Sequence, residues 1–441
     1  MPRVVHSYAI DLATFARERW HELLREPDPG PCRVLRGALP EHSALCRLLS
    51  VAYQASLLRE EDRPVRFRLF VGEPEQLASE LGPPNGLHAL RFEKARAYNE
   101  HEIRRLSLAA KYHRALIGVQ PTAAMAFEIW GVLQSGPRWL QSARGGRGMP
   151  SPIPEEAVVV RAHAPGHLAI GVGDVTIAEL RGGRLSHGTT NLFESRWLAD
   201  RFARSRGELR ALHEEAVQGD TNIPLDPELT RAISQQMVKR LISTMQDARH
   251  GGTVVFIPHE RAAQWALETP PIRLKYAFAE GEPRRRYRSL MLAVLRELMQ
   301  IAMRSEPRPK LVDFSLYQDS QNDAIVRLDE AILEMSQLIA AFADVDGAVL
   351  LNERFDVLGF GGEITGGLPE VEEIRHAHDL EATSFTIEPI DGVGTRHRAA
   401  YRLCAREHGA FAVVVSQDGG VQFVAWHNDG LTFWEHHNEP G

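Results

Sequence analysis

The sequence predicts an α/β protein in two parts. A mixed α/β domain covers residues 1–225, and a mixed twisted sheet flanked by helices covers residues 226–441. Three observations carry this reading. Short apolar runs bounded by glycine and proline, Thr253–Pro258 and Phe411–Val415, have the length and composition of buried strands. Long segments with apolar residues every three or four positions alternate with them. A turn-punctuated run of short alternating segments, Val158–Leu185, reads as a β-meander ahead of both. At 441 residues the chain is too long for one ordinary core, so two or three domains are expected.

Composition narrows the class. Hydrophobic content of 44% and charged content of 25% are ordinary globular values. The net charge of −7 argues against bulk electrostatic binding to nucleic acid, so any phosphate site has to be a local basic pocket on an acidic protein. Cys32, Cys46 and Cys404 have no metal-ligand spacing and form no even-numbered framework, which points to a reducing compartment. No secretory leader is read at the N-terminus, and no apolar run approaches the ~20 residues of a membrane span. A soluble, cytoplasmic protein with no membrane partner is the expectation.

The elements follow in order. Glu41–Arg59 carries Leu45, Leu48, Leu49, Ala52 and Leu57 at helical spacing, and Glu93–Gly118 reads as a second helix. Gly136-Pro137 and Arg144–Pro150 read as loop; the Gly/Arg stretch lacks the lysine–hydroxyl ending of a phosphate-binding P-loop. His163, His167 and His187 sit in or near the turns of the meander, but their spacing matches no ligand signature. A polar stretch, Glu214–Pro227, is read as the link between the halves. Helix resumes over Pro227–Ala248, where Ile233, Met237, Leu241 and Met245 recur every four residues. His250-Gly251-Gly252 leads into the Thr253–Pro258 strand. Helices are expected over Arg286–Met303 and through Ile325, Leu328, Ile332, Met335, Leu338 and Phe342. Asp346-Gly347-Ala348 then turns into a strand, and Phe355–Gly362 completes a hairpin whose second strand ends in glycines.

The segment Gly394–Ala400 is the most informative. Thr395 reads as an N-cap, which puts Arg396, His397 and Arg398 in the first turn of a helix ending near His408. The helix dipole disfavours cations there by roughly 0.3–1 kcal/mol each. A bound anion resolves the conflict, because free backbone N–H groups and guanidinium forks both suit phosphate. A solvated basic turn, or pairing with carboxylates, is the other reading.

Asp346-Gly347-Ala348, Gly394-Thr395-Arg396-His397-Arg398 and Val413-Val414-Val415-Ser416 stand in the order and contexts that resemble the diadenylate cyclase (DisA-type, DAC) domain family, over about Pro227–Glu435. The resemblance implies a nucleotidyltransferase that condenses two ATP molecules into cyclic di-AMP and releases pyrophosphate. It implies Asp346 as the carboxylate near the attacking 3′-hydroxyl and a divalent metal, Mn²⁺ or Mg²⁺. Arg396, His397 and Arg398 join it as catalytic residues, with Thr395, Arg396 and Arg398 gripping phosphate and His397 orienting phosphate or metal. Gly347, Ala348, Gly394, Thr395 and Ser416 are the implied nucleotide-binding positions. Each domain holds one ATP, so a homo-oligomer with face-to-face domains is implied, and residues 1–225 become a sensory or regulatory module. Two departures stand out. The family's glutamate after the serine is Gln417, an amide, in the implied metal-side position beside Asp346, with Asp418, Glu363 and Asp391 as nearby carboxylates. The acidic stretch Glu363–Asp391, with His376 and His378, is longer than in compact members and reads as a solvated surface excursion. The alternative to a cyclase is a degenerate domain that binds nucleotide as a sensor or scaffold.

Overall fold

The computed structural model describes residues 6–25, 37–77, 87–112, 114–122, 126–135, 145–147, 153–154, 156–173, 175–187, 191–216, 223–265, 271–364, 367–417 and 419–436. The chain divides into two compact units, Met1–Ala143 with Gly148–Thr189 and Glu439–Gly441, and Thr190–Asn438 with Arg144–Arg147. Both are mixed α/β.

The first unit is built on an eight-stranded sheet among the described residues. Its strands are β3 (Phe67–Val71), β4 (Leu87–Ala97), β5 (Ala115–Pro121), β6 (Phe127–Ser135), β7 (Val158–Ala164), β8 (His167–Val172), β9 (Val175–Arg181) and β10 (Arg184–His187), in the order β10-β9-β8-β7-β3-β5-β6-β4; β1 (Arg59–Glu60) and β2 (Arg63–Pro64) form a separate two-residue pair. The expected meander is present as the antiparallel run β7 to β10. Helices α1 (Ala9–Leu23) and α2 (His42–Leu57) bury Leu12, Trp20, Leu45, Leu48 and Leu49 against Leu69, Val160, Leu168 and Ile170. The helix expected over Glu93–Gly118 is instead three elements: the end of β4, a short helix α3 (Glu100–Ala109), and the start of β5. Asn99 starts α3 by accepting a 2.9 Å hydrogen bond from the Glu102 N–H.

The second unit is a three-layer sandwich. Its helices are α4 (Arg196–Arg201), α5 (Ala203–Ala216), α6 (Leu229–Ala248), α7 (His259–Trp265), α8 (Arg286–Arg304), α9 (Phe314–Asp319), α10 (Asp323–Ala343) and α11 (Thr395–Arg406). Its strands are β11 (Gly252–Ile257), β12 (Ile272–Ala277), β13 (Ala348–Asn352), β14 (Val357–Ile364), β15 (Glu373–Ala377), β16 (Phe385–Pro389), β17 (Phe411–Val415), β18 (Val421–His427) and β19 (Gly430–His436). They form one sheet in the order β12-β14-β13-β11-β17-β18-β19-β15-β16. The centre, β13-β11-β17, is buried on both faces, which is why it reads as continuous Val/Leu/Phe runs. Alternate residues enter different cores. Val254, Phe256, Val349, Leu351, Val413 and Val415 meet helices α6, α8 and α10. Val255, Ile257, Ala348, Leu350, Ala412 and Val414 meet α7 and α11. The helices over 227–248, 286–303 and 325–342 stand where their periodicity puts them.

Two further segments, in the second unit, differ from their sequence reading. Residues 190–225, placed with the first domain because the polar stretch Glu214–Pro227 was read as the link between the halves, belong to the second unit. Leu192, Phe193, Trp197, Leu198 and Leu209 are buried in its larger core, and Trp197 stacks on Trp434 at 4.5 Å. Glu363–Asp391 is not a surface excursion. It contributes the hairpin β15–β16, which extends the sheet through a parallel pairing of β15 with β19. Its His376 pairs with Glu388 at 3.0 Å and stacks on Phe433 at 4.5 Å, so it is part of the sheet's packing. Gly145 and Gly146 of the Gly/Arg stretch accept hydrogen bonds from Arg240 and Gln236, the first at 2.8 Å; Arg144 and residues 148–150 lie outside the described residues.

Candidate functional site

The register of three central strands gathers the motif segments. Strand β11 runs parallel to β13, pairing Thr253 with Ala348, and antiparallel to β17, pairing Gly252 with Val415. The start of β11 (His250-Gly251), the start of β13 (Asp346-Gly347) and the end of β17 (Ser416-Gln417) therefore lie side by side at one end of the sheet. The N-terminus of α11 reaches the same place. A Cβ added to Gly251 would stand 2.9 Å from Nη1 of Arg396, 2.8 Å from the Val415 carbonyl oxygen and 3.1 Å from the Gln417 backbone nitrogen. Four stretches separated in sequence by up to about 170 residues meet there.

Backbone geometry explains the glycines. Gly251 has φ +67°, two residues after Arg249, the left-handed C-cap at the end of α6. It combines the left-handed turn with the absence of a side chain beside Arg396. Gly347 has φ +119°, and an added Cβ would lie 2.6 Å from the Gly361 carbonyl carbon and 2.7 Å from the Gly362 nitrogen. Glycine at 347 is thus required by the neighbouring backbone of β14, a structural reason independent of any ligand. The β13–β14 pairing is irregular here, with register shifts between Ala348 and Leu351. Ala348 is buried and its chain continues into the core.

The functional side chains differ in freedom. Asp346 is exposed, in the bend between α10 and β13. The N-cap of α11 is Gly394 rather than Thr395, which becomes the first helical residue, and no side chain caps this end. Arg396 and His397 are half-buried, and Arg398 is exposed and donates to the Val393 carbonyl at 3.1 Å. Ser416 closes the β17–β18 turn: its N–H and its hydroxyl both donate to the Gly420 carbonyl, at 2.8 and 3.1 Å. Phosphate binding there would draw the hydroxyl proton away from Gly420. Gln417 is exposed, and Asp418 lies outside the described residues. Of the other carboxylates, Glu363 is engaged by Arg273 at 2.7 Å and Lys275 at 3.3 Å, and the Arg273 hydrogen bond holds its carboxyl below the usual range. Asp391 is exposed in the turn that precedes α11.

Sequence reasoning did not single out the cleft beside α11. His397, Tyr401, Gln422, Phe433, Ile374 and Glu388 line it, between the helix and the β15–β16 hairpin. Tyr401 donates to Gln422 at 2.8 Å, and burial pushes its hydroxyl pKa up. The signal was available in part, because Tyr401 stands one helical turn after His397, on the same face.

No group of three or more His, Cys, Asp or Glu side chains suited to a metal ion occurs among the described residues. In the first unit His167 is bonded to Glu179 and His163 to Tyr112. At the candidate site Asp346 is one accessible carboxylate and Gln417 a neutral amide. That donor set suits Mg²⁺ or Mn²⁺ brought in on a triphosphate, which takes one or two carboxylates and completes its shell with phosphate and water. It does not suit an ion held by protein alone.

A family model described as "Probable sensor domain DACNV" matches residues 35–134. The match falls within the first unit, over α2 to β6. The N-terminal part of the chain is therefore similar to a sensor domain, as the regulatory reading expects. No curated protein and no solved structure matches the chain. No helix among the described residues is long and apolar enough to cross a membrane.

Proposed function

We propose that the second unit is a diadenylate cyclase-type nucleotidyltransferase governed by the first. The observation that carries the reading is the convergence of Asp346-Gly347, Gly251, Arg396 and Ser416-Gln417 at one sheet end, where an uncapped helix N-terminus and a guanidinium meet. The similarity of residues 35–134 to a sensor domain supports the regulatory half.

In this reading the triphosphate lies over the start of α11. Backbone N–H groups of the first turn, Thr395, and the Arg396 and Arg398 guanidiniums donate to phosphate oxygens, and charge-assisted donors of this kind are the strong ones. His397 orients the phosphate chain, and the Ser416 hydroxyl adds a donor. Asp346 accepts from the ribose 3′-hydroxyl and binds the accompanying metal. A divalent ion, when bound, screens the triphosphate and makes the hydroxyl more acidic. Each hydroxyl passes its proton to the Asp346 carboxylate, and from there to water, as its oxygen attacks the α-phosphorus of the other ATP in line and expels pyrophosphate. Two new phosphodiester bonds form and two α–β anhydride bonds break, giving cyclic di-AMP. Because one unit holds one ATP, two copies of the chain must present these sheet ends to each other about a two-fold axis. A sensor unit that brings the copies together or separates them would then control the rate. An ATP-consuming cyclase of this kind belongs in the cytoplasm.

Gln417 favours a second reading, a domain that binds nucleotide without turnover, because an amide is a weaker metal ligand than a carboxylate. Incubating the full chain with ATP and Mn²⁺ or Mg²⁺, followed by mass spectrometry, separates the two. Cyclic di-AMP is the expected product. ATP that stabilises the fold but is returned unchanged would establish the binder.

A further inference from the structure

The nucleotide reading leaves the Gly/Arg stretch after Ala143 without a role, yet the structure gives it a fixed place. Residues 144–147 belong to the second unit, whereas the chain before them, to Ala143, and after them, from Gly148, belongs to the first. A short strap of chain thus enters the second unit and returns.

The strap is fastened at both ends. Gly145 is buried with φ +85°, and an added Cβ would lie 2.4 Å from the Gln236 carbonyl oxygen of α6. Glycine lets the strap approach the helix backbone that closely. The Gly145 carbonyl accepts from Nε of Arg240 at 2.8 Å, and that arginine, itself buried, holds the Asp329 carboxylate of α10 at 2.5 Å. Arg147 donates to the carbonyl oxygens of Gln318, at 3.4 Å, and of Ser320 at the end of α9. Its guanidinium lies 5.1 Å over the Tyr317 ring.

The helix that seats the strap also reaches the nucleotide end. Gln246 stands six positions after Arg240, about 9 Å along the axis. Its amide nitrogen donates to the Gly419 carbonyl at 2.7 Å. Gly419 and Gly420 close the turn after β17: the Gly419 N–H donates to the Ser416 carbonyl at 3.0 Å, and the Ser416 hydroxyl to the Gly420 carbonyl at 3.1 Å. Two adjacent glycines have no side chains to order them, so contacts from outside the turn set its position. Helix α6 supplies one.

We propose that the Gly145-Gly146-Arg147 strap is the device by which the first unit regulates the nucleotide site. Docked, it fixes α6, and Gln246 then holds the Ser416-Gln417 turn in place for phosphate. Undocked, it lets helix and turn loosen together. The coupling runs through contiguous contacts, from the strap to Arg240, along α6 to Gln246, and on to Gly419. Gln246 is a positioning residue, since it touches the turn and not the nucleotide. The effect on ATP rests on the nucleotide reading; the coupling of strap to turn does not.

The test joins hydrogen-exchange mass spectrometry of the turn after β17 with calorimetric titration of ATP and Mg²⁺, both on the full-length chain. Gly145→Ala unseats the strap, and Gln246→Met keeps the side-chain length but loses the donor. Each should speed exchange in the turn. Each should weaken ATP binding by about three- to tenfold, the scale of one neutral hydrogen bond. The double variant should bind no more weakly than Gln246→Met alone, because both changes act through one contact. Wild-type exchange rates in a folded Gly145→Ala protein would overturn the proposal, as would losses that add in the double variant. A wild-type chain that binds no ATP, while its turn still answers to Gly145→Ala, would remove the nucleotide reading and uphold the coupling.

Discussion

The two ends of the second unit's sheet are built in opposite ways. At one end the strands β11 and β13 begin and β17 ends in left-handed glycines, an uncapped helix and exposed polar side chains. At the other, Phe256 of β11, Phe411 at the start of β17 and Phe355 in the turn after β13 pack with Phe202 and Tyr287 into one aromatic cluster. The first end leaves backbone N–H groups and charge available to a ligand. The second supplies the buried area that holds the strands in place. Stability and chemistry are thus separated by the length of a strand, a division that mutations at the two ends can break or sharpen.

Phe256→Ala should show the largest effect. Phe256 is 1% exposed, and losing such a ring costs about 3–5 kcal/mol. Urea titration measures it, and ATP affinity of the protein that remains folded should be unchanged. Loss of ATP affinity beyond the unfolded fraction would mean that the two ends are coupled. Gly347→Ala comes next, because left-handed strain and overpacking against β14 together cost about 2–4 kcal/mol. A melting temperature equal to that of the wild type would contradict the close approach of Gly361.

A pH effect should follow from His213 on α5. It is buried, and neither ring nitrogen has a hydrogen-bond partner among the described residues. Desolvation, reinforced by Arg296 and opposed by Glu214, lowers its pKa below the usual 6.5. The folded state therefore favours the neutral ring. The stability it permits is fully present above about pH 6.5 and is lost as pH falls from there toward the folded-state pKa. Urea midpoints at pH 7.5 and 5.5 should converge in His213→Leu relative to the wild type. An unchanged difference would place the titrating group elsewhere. Asp346→Asn should have the smallest effect on stability, within about 0.5 kcal/mol for an exposed side chain, while abolishing product formation. Normal turnover in that variant would remove Asp346 from the chemistry.

How much of this was legible in the sequence depended on burial. The central strands and the helices α6, α8 and α10 carry their environment in their pattern, since each buries a regular stripe or both faces. The misread elements are at edges. β4 is an exposed edge strand rich in Arg91, Glu93, Lys94 and Arg96, residues that also favour helix, so the period of two was hidden by charges that protect an edge. β16 is the opposite unit's case, an edge strand with Phe385 and Ile387 exposed in an acidic stretch. The domain boundary was misplaced because 214–227 is polar, although Trp197 and Leu209 before it are anchored in the second core.

At the candidate site, the ordered motifs gave the segments, and the strand register brought them together. Sequence could not separate the two reasons for a glycine. Gly347 is needed for close packing on β14, whereas Gly251 stands beside Arg396. Nor could it show that the Ser416 hydroxyl is committed to its own turn, or that the acidic insertion adds a wall beside His397 and Tyr401.

The central claim is that the sheet end around Arg396 holds a triphosphate. Isothermal titration of ATP into the wild-type chain and into the double variant Arg396→Ala with Arg398→Ala tests it most directly. The account predicts saturable binding in the wild type and at least a tenfold loss in the variant, since each charge-assisted contact contributes about 1.5–3 kcal/mol. Equal affinity in the two proteins, with both folded, would contradict it.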